Sequence, residues 1–77
     1  MKNKYIEQFK NALKEENLKY TSQRFSIFEF LFSNKGHFEC DQIIEKLKKK
    51  KVKVSRATAY RTLDLLVKYD FARKMIL

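Results

Sequence analysis

Hydrophobic side chains recur along this sequence in four stretches, each with the spacing of a helix. The first stretch runs from Lys4 to Glu16, and its apolar residues form one narrow stripe: Tyr5, Ile6, Phe9, Ala12 and Leu13. A stripe of this kind, with charges around it, is typical of a surface helix that lies on a core. Asn17 is expected to end this helix, because asparagine tolerates the left-handed backbone conformation found at many helix ends.

The second helix is expected to begin after Thr21, a favourable N-cap, and to run to about Asn34. Polar residues leave only a thin stripe here, and apolar side chains cover most of the circumference: Phe25, Ile27, Phe28, Phe30, Leu31 and Phe32. A helix that is apolar on most sides predicts the centre of the core. A turn is expected after it, with Gly36 at a left-handed position.

Two further helices and a strand complete the pattern. A helix is predicted over Cys40–Lys49, with inward side chains at Cys40, Ile43, Ile44 and Leu47, although Glu39 is a weak cap. Ser55 caps a fourth helix that lasts until about Tyr69. The last residues, 71–77, read as a strand, and a lone strand is not stable. Its partner is therefore expected outside this sequence, in a longer parent protein.

The fourth helix has two dissimilar faces. At 100° per residue the inward face is predicted to hold Ala59, Leu63, Leu66 and Val67, and the opposite face Ala57, Arg61, Asp64 and Lys68, with Thr58 beside them. Tyr60 is predicted at the border, and Leu65 fits neither side, so we expect it to contact the strand that follows.

Charge is concentrated around this helix. The formal charge of the 77 residues is +9, and no acidic residue occurs between Glu45 and Asp64, where eight basic residues stand: Lys46, Lys48, Lys49, Lys50, Lys51, Lys53, Arg56 and Arg61. Such a field suits a polyanion, nucleic acid first and an anionic membrane surface second. For the run Lys48–Lys51 an ordinary solvated face is an equal alternative.

The exposed face of the fourth helix has the residues that a groove-reading helix needs. Ser55 and Thr58 can donate to phosphates at the positive helix N-terminus. Arg61 can reach guanine O6 and N7 or a phosphate, and Tyr60 can lay its ring against thymine methyl groups. The alternative is an ordinary amphipathic helix whose polar side is merely hydrated.

Other chemistry is poorly represented. Cys40 is the only cysteine, which excludes an internal disulfide and a zinc site made of cysteines alone, and it reads as a small buried side chain. No nucleophile–base pair or glycine-rich phosphate loop occurs, so we do not expect an enzyme. No apolar run approaches the length of a membrane span and no signal-peptide pattern opens the chain, so a cytoplasmic protein is expected.

Helix–helix–helix–strand with a leading helix describes a winged helix-turn-helix. The predicted fold class is therefore mainly α: an extra N-terminal helix, a three-helix core and the start of a β wing. We expect residues 1–77 to form one winged-helix domain.

Three segments of the sequence resemble the ferric uptake regulator family. They are LKYTSQR at 18–24, GH at 36–37 and VSRATAYRTLDLL at 54–66, against the family's G-L-[KR]-x-T-P-Q-R, G-H and S-x-A-T-V-Y-R-T-L-x-x-L. The segments follow in the right order and spacing over nearly the whole chain. Three departures are mild, with Asn17, Ser22 and Ala59 standing where Gly, Pro and Val are usual.

The resemblance implies a metal-responsive transcriptional repressor that binds double-stranded DNA. It implies that Tyr60 and Arg61 are the main base contacts and that Lys19 enters the neighbouring A·T-rich minor groove. It further implies phosphate contacts from five residues: Thr21, Gln23, Arg24, Ser55 and Thr58.

The resemblance also covers the metal and the partner. The family's second half dimerises and carries most metal ligands, and it would lie beyond Leu77, so this chain is expected to be one part of a longer homodimeric protein. His37 matches a position that contributes a regulatory ligand together with that half. We expect no cofactor in this chain alone, where His37 is a loop residue, and a divalent metal (iron, zinc or manganese) in the full-length protein.

The predicted function is sequence-specific binding to A·T-rich inverted repeats through helix 55–69. The isolated chain is expected to be monomeric or weakly associating, and it would supply one half-site. Two alternatives stay open: a winged helix that docks a protein partner, and a basic module that binds nucleic acid or a membrane surface through charge alone.

Overall fold

The four apolar stretches form four helices in the structure, a computed structural model that describes residues 2–34 and 38–71. They are α1 Lys2–Glu15, α2 Ser22–Ser33, α3 Cys40–Lys49 and α4 Arg56–Lys68. Each lies within a few residues of its predicted range, and the mainly helical fold class is confirmed. Within the described residues no helix is both long and apolar enough to cross a membrane.

The predicted strand is largely outside the described range. Only Phe71 of residues 71–77 is described, and there the expectation is wrong, because its backbone is helical. Asp70, with φ 62°, turns the chain after α4, and the Phe71 ring is then buried against Phe9 and Phe28, with ring centroids 6.3 and 6.1 Å away. The predicted turn at Gly36 also lies outside the described residues.

Two of the helices end in the same hydrogen-bonded motif. Asn17, with φ 58°, ends α1 as predicted, and the Leu18 N–H donates to the Leu13 carbonyl at 2.8 Å. At the end of α3 Lys51 has φ 64°, and the Val52 N–H donates to Leu47 at 2.9 Å. Both are Schellman ends, in which a left-handed residue lets the next N–H satisfy a carbonyl of the last turn.

The helix starts are capped as the sequence indicates. Thr21 Oγ1 accepts the Arg24 N–H at 3.2 Å, and Ser55 Oγ accepts the Thr58 N–H at 3.1 Å. Glu39 starts α3 with help from Gln42, whose Oε1 accepts the Glu39 N–H at 2.8 Å. Interactions of this kind are worth about 1 kcal/mol each.

The core has two clusters with α2 between them. The first joins α1, α2 and α4 through Phe9, Ala12, Leu13, Phe28, Leu65, Leu66 and Phe71. The second joins α2, α3 and α4 through Ile27, Phe30, Cys40, Ile43, Leu47, Val54 and Ala59. The central position of α2 and the burial of Cys40 are both as predicted, and that burial raises the pKa of the Cys40 thiol.

The register of α4 differs from the prediction. Its buried residues are Ala59, Thr62, Leu65 and Leu66, whereas Val67 is 70% exposed and Leu63 only partly buried. Thr62 can occupy the core because its hydroxyl donates to the Thr58 carbonyl at 2.7 Å. With this polar residue inside, the buried face is rotated by roughly 70° from the one that apolar spacing predicts. Leu65 accordingly packs in the first cluster.

Candidate nucleic-acid interface

The exposed face of α4 presents the two predicted base-contacting residues. The rotated register moves Tyr60 from the predicted border onto the solvent side, where it is 53% exposed, and Arg61 is exposed next to it. Ala57 and Asp64 share this face. Tyr60 thus presents an apolar ring and a hydroxyl on this face, and thymine methyl groups in a DNA groove are a surface that this ring would fit.

The N-terminus of α4 is fixed by short-range hydrogen bonds. Besides accepting the Thr58 N–H, the Ser55 hydroxyl donates to Thr58 Oγ1 at 2.9 Å. The N–H groups of Arg56 and Ala57 have no acceptor within the helix, because they belong to its first turn. Together with the positive end of the helix dipole, these donors form an arrangement suited to a phosphate.

A shallow groove beside this N-terminus brings two of the predicted phosphate contacts together. It measures about 390 Å³ and is lined by Gln23, Ile44, Lys48, Val52, Lys53, Val54 and Ser55. Gln23 and Ser55 thus lie beside Lys48 and Lys53, which from the sequence had no predicted role beyond their contribution to the basic stretch. The sequence did not indicate the position of these lysines, because it depends on how the connection after α3 packs beside α2.

The N-terminus of α4 is also tied to α3. An ion pair joins the Arg56 guanidinium to the Asp41 carboxylate, and both side chains are more than half exposed. An exposed pair contributes about 0–1 kcal/mol, so the way α3 and α4 meet is set mainly by the apolar cluster between them. Sequence reasoning missed this pair, because its partners are 15 residues apart, with most of α3 and the connection after it between them.

The linker between α1 and α2 holds the remaining predicted residues. Lys19 is exposed there, and Thr21 is partly buried as the cap of α2. Arg24 is partly buried, and its Nη1 donates to the main-chain carbonyl of Lys19 at 2.8 Å. Its phosphate contact stays a prediction, but the guanidinium has a protein partner that the sequence did not indicate.

A second groove lies where the linker approaches α4. It measures about 290 Å³ and is lined by Glu16, Leu18, Arg61, Asp64, Leu65 and Lys68. Arg61 therefore shares this groove with two acidic residues, Glu16 and Asp64. Sequence reasoning had placed Asp64 on this face without a role; a carboxylate in the major groove can accept from the cytosine amino group.

Glu16 is the centre of a polar cluster in this region. Its Oε2 accepts from Lys68 Nζ at 2.7 Å and from the Tyr69 hydroxyl at 2.9 Å, so it joins the ends of α1 and α4. The hydrogen bond from Lys68, followed by that from Tyr69, lowers the pKa of Glu16. The same contacts with Glu16 raise the pKa values of Lys68 and Tyr69.

The structure does not assemble a metal site from the residues it describes. Across 2–34 and 38–71, no three His, Cys, Asp or Glu side chains come together in a way that could hold an ion. His37 lies outside the described residues. The described side chains therefore do not fit a metal of their own.

Comparisons of this chain with known families and proteins agree on one family. Residues 15–77 match the sequence model of the ferric uptake regulator family. The chain is 32% identical over 74 residues to a ferric uptake regulation protein of Campylobacter upsaliensis, covering 94% of this chain and 47% of that protein. It is 35% identical over 63 residues to the protein of that name from Campylobacter jejuni, covering 79% and 40%. The chain thus spans less than half the length of these relatives. No solved structure matches it significantly.

Proposed function

Because the chain belongs to the ferric uptake regulator family, we propose that it is the DNA-binding domain of a metal-responsive transcriptional repressor. In this proposal α4 lies in the major groove of an A·T-rich inverted-repeat operator, and occupancy of the promoter blocks transcription. The observation that carries the proposal is the solvent-facing pair Tyr60 and Arg61, one turn from a capped, electropositive helix N-terminus.

Tyr60 and Arg61 would make different kinds of base contact. Arg61 would donate to the edge of a guanine or to a phosphate, whereas the Tyr60 ring would pack on thymine methyl groups with its hydroxyl toward a polar partner. Glu16 and Asp64 line the same groove as Arg61, so the surface around the arginine carries both signs of charge.

Phosphate contacts would come from the groove beside α4 and from the linker. Gln23 and Ser55 line that groove with Lys48 and Lys53, so a DNA strand following it would meet hydroxyl, amide and ammonium donors in succession. Thr58, Thr21 and Arg24 complete the proposed set, and Lys19 would enter the adjacent minor groove, which is narrow and electronegative in A·T-rich sequence.

The proposal also covers the domain organisation, the metal and the location of the whole protein. We propose a single winged-helix domain over residues 1–77, with its wing after Phe71, and a second half that makes the protein a homodimer. His37 would ligate a divalent metal only with that half, so no step of DNA binding by this chain depends on a metal. A regulator of this kind acts where the chromosome is, and a cytoplasmic location belongs to the same proposal.

The direct test is fluorescence anisotropy of the 77-residue chain with a labelled A·T-rich inverted repeat and with a scrambled duplex, at two salt concentrations. We expect tighter binding to the repeat, with a difference that survives added salt. If four phosphates are contacted, log K should fall with log salt with a slope near −3.6.

Two control results separate the alternatives. Equal and equally salt-sensitive binding to both duplexes would leave only a basic surface, without sequence reading. The protein-docking alternative predicts that Lys19→Glu and Arg61→Glu leave the function of the protein intact, whereas the proposed function predicts that both variants lose binding to the repeat.

A further inference from the structure

The α1–α2 linker, residues Glu16–Thr21, is short and is held at both of its ends. At its start the left-handed Asn17 directs the Leu18 N–H onto Leu13, as described above. The Glu16 carboxylate meanwhile accepts two hydrogen bonds from the C-terminal end of α4. The path of the linker is therefore fixed relative to the reading helix before Lys19 is reached.

Arg24 holds the other end. Its Nη1 donates to the Lys19 carbonyl at 2.8 Å, and its own backbone N–H donates to Thr21 Oγ1 at 3.2 Å. Its Nε is buried and has no hydrogen-bond partner among the described residues. One nitrogen of the guanidinium is thus engaged with the linker and a second is shielded from solvent, so a phosphate contact by Arg24 would have to come from Nη2.

We propose that Arg24 is a positioning residue, which presents Lys19 to the minor groove by fixing its main chain. The proposal rests on the proposed function, in which Lys19 reads A·T-rich sequence. Because the bond is made to the Lys19 carbonyl, the exposed side chain remains available for DNA. A linker ordered in advance loses less conformational entropy when DNA binds, so Arg24 contributes to selectivity at base pairs it does not touch.

The test uses a property of the minor groove. A G·C pair places the guanine amino group there, whereas an inosine·cytosine pair lacks that group and resembles A·T in the minor groove only. Three otherwise identical repeats are compared, whose flanking pairs are A·T, I·C or G·C. The 77-residue chain should prefer both A·T and I·C over G·C, and Lys19→Ala should reduce this preference by about tenfold.

Arg24→Met is then measured alone and together with Lys19→Ala. If Arg24 acts through Lys19, Arg24→Met reduces the same A·T and I·C preference, and the double variant shows little further loss. Lys49→Met is the matched control, since it removes an exposed charge at the end of α3. It should weaken all three duplexes evenly and leave the preference unchanged.

Thermal unfolding followed by circular dichroism shows whether Arg24→Met is folded. Arg24→Lys, which keeps the charge, is tested in the same double-variant comparison, so the result does not rest on one substitution. If Lys19→Ala keeps the full preference, the proposed role of Lys19 fails and this inference with it. If Lys19→Ala loses the preference but both Arg24 variants keep it, the inference alone is overturned. A salt slope flatter by about one in Arg24→Met would then assign Arg24 to a phosphate.

Discussion

An aspartate at Ser55 should move stability and DNA binding in opposite directions. The Ser55 hydroxyl accepts the Thr58 N–H at the start of α4 and lies at the edge of the proposed phosphate groove. Ser55→Ala removes the cap and should lower the free energy of unfolding by about 1 kcal/mol. Ser55→Asp keeps an acceptor there and adds a favourable charge at the helix N-terminus, worth about 0.3–1 kcal/mol. It should be at least as stable as the wild type.

The effect on DNA is the reverse for the aspartate. A carboxylate roughly 6 Å from a phosphate is repelled by about 1–3 kcal/mol for effective dielectric constants between those of bulk water and a protein surface. Ser55→Asp should therefore bind every duplex between several-fold and a hundredfold more weakly, although it is well folded. Ser55→Ala should bind only slightly more weakly, because one donor is lost and no charge is added.

The assay combines urea unfolding with anisotropy on the operator-like and scrambled duplexes. Asn11→Asp is the matched control, because it adds the same charge beside Tyr69 at the opposite end of α4. A 13-residue helix is about 20 Å long, so that charge is well screened from Ser55 in physiological salt. If Ser55→Asp binds DNA as tightly as Asn11→Asp, the start of α4 does not face a phosphate. If it is less stable than Ser55→Ala, the capping argument is wrong.

Three further predictions follow from the structure. Arg61→Ala should reduce the discrimination between target and scrambled duplex by about 1–3 kcal/mol in anisotropy titrations, and an equal loss on both duplexes would contradict base reading. Phe28→Ala removes a fully buried ring stacked on Phe9 at 4.7 Å and should lower the free energy of unfolding by about 3–5 kcal/mol in urea. The contacts of Glu16 lower its pKa from 4.5, so their stabilisation is present above that pH and lost as pH falls through the lowered pKa. As the pH is lowered from about 5 to 3, the melting temperature should therefore fall more steeply in the wild type than in Glu16→Gln. Parallel curves would show that Glu16 does not contribute to the pH dependence of stability.

The sequence predicted the helices well because their signals are local. Thr21 caps the start of α2, Ser55 caps the start of α4, and Asn17 ends α1. Within the helices the apolar residues recur with the helical period. The predicted buried face of α4 was wrong for a reason that is also local, but that the pattern of apolar residues does not reveal. Thr62 satisfies its own hydroxyl on the helix backbone and so takes a core position, while the apolar Val67 is left outside.

The predicted site depended on a different kind of information. Tyr60, Arg61 and Lys19 could be chosen from helical phase, charge and resemblance, and all three are exposed. The pairings of Arg24 with Lys19, Arg56 with Asp41 and Glu16 with Lys68 could not be chosen in this way. Many basic residues compete for few acidic partners here, and only the packed arrangement of the helices selects among them.

The position of α2 between the two clusters bears on how the domain opens. Ile27 and Phe28 are adjacent in the sequence, yet each is fully buried in a different cluster. Neither cluster can be exposed without disturbing α2, so partial unfolding of one side should carry the other with it. In native-state hydrogen exchange the amides of α2 should be the slowest, and their exchange should require global unfolding. A domain with this construction should therefore unfold as one cooperative unit.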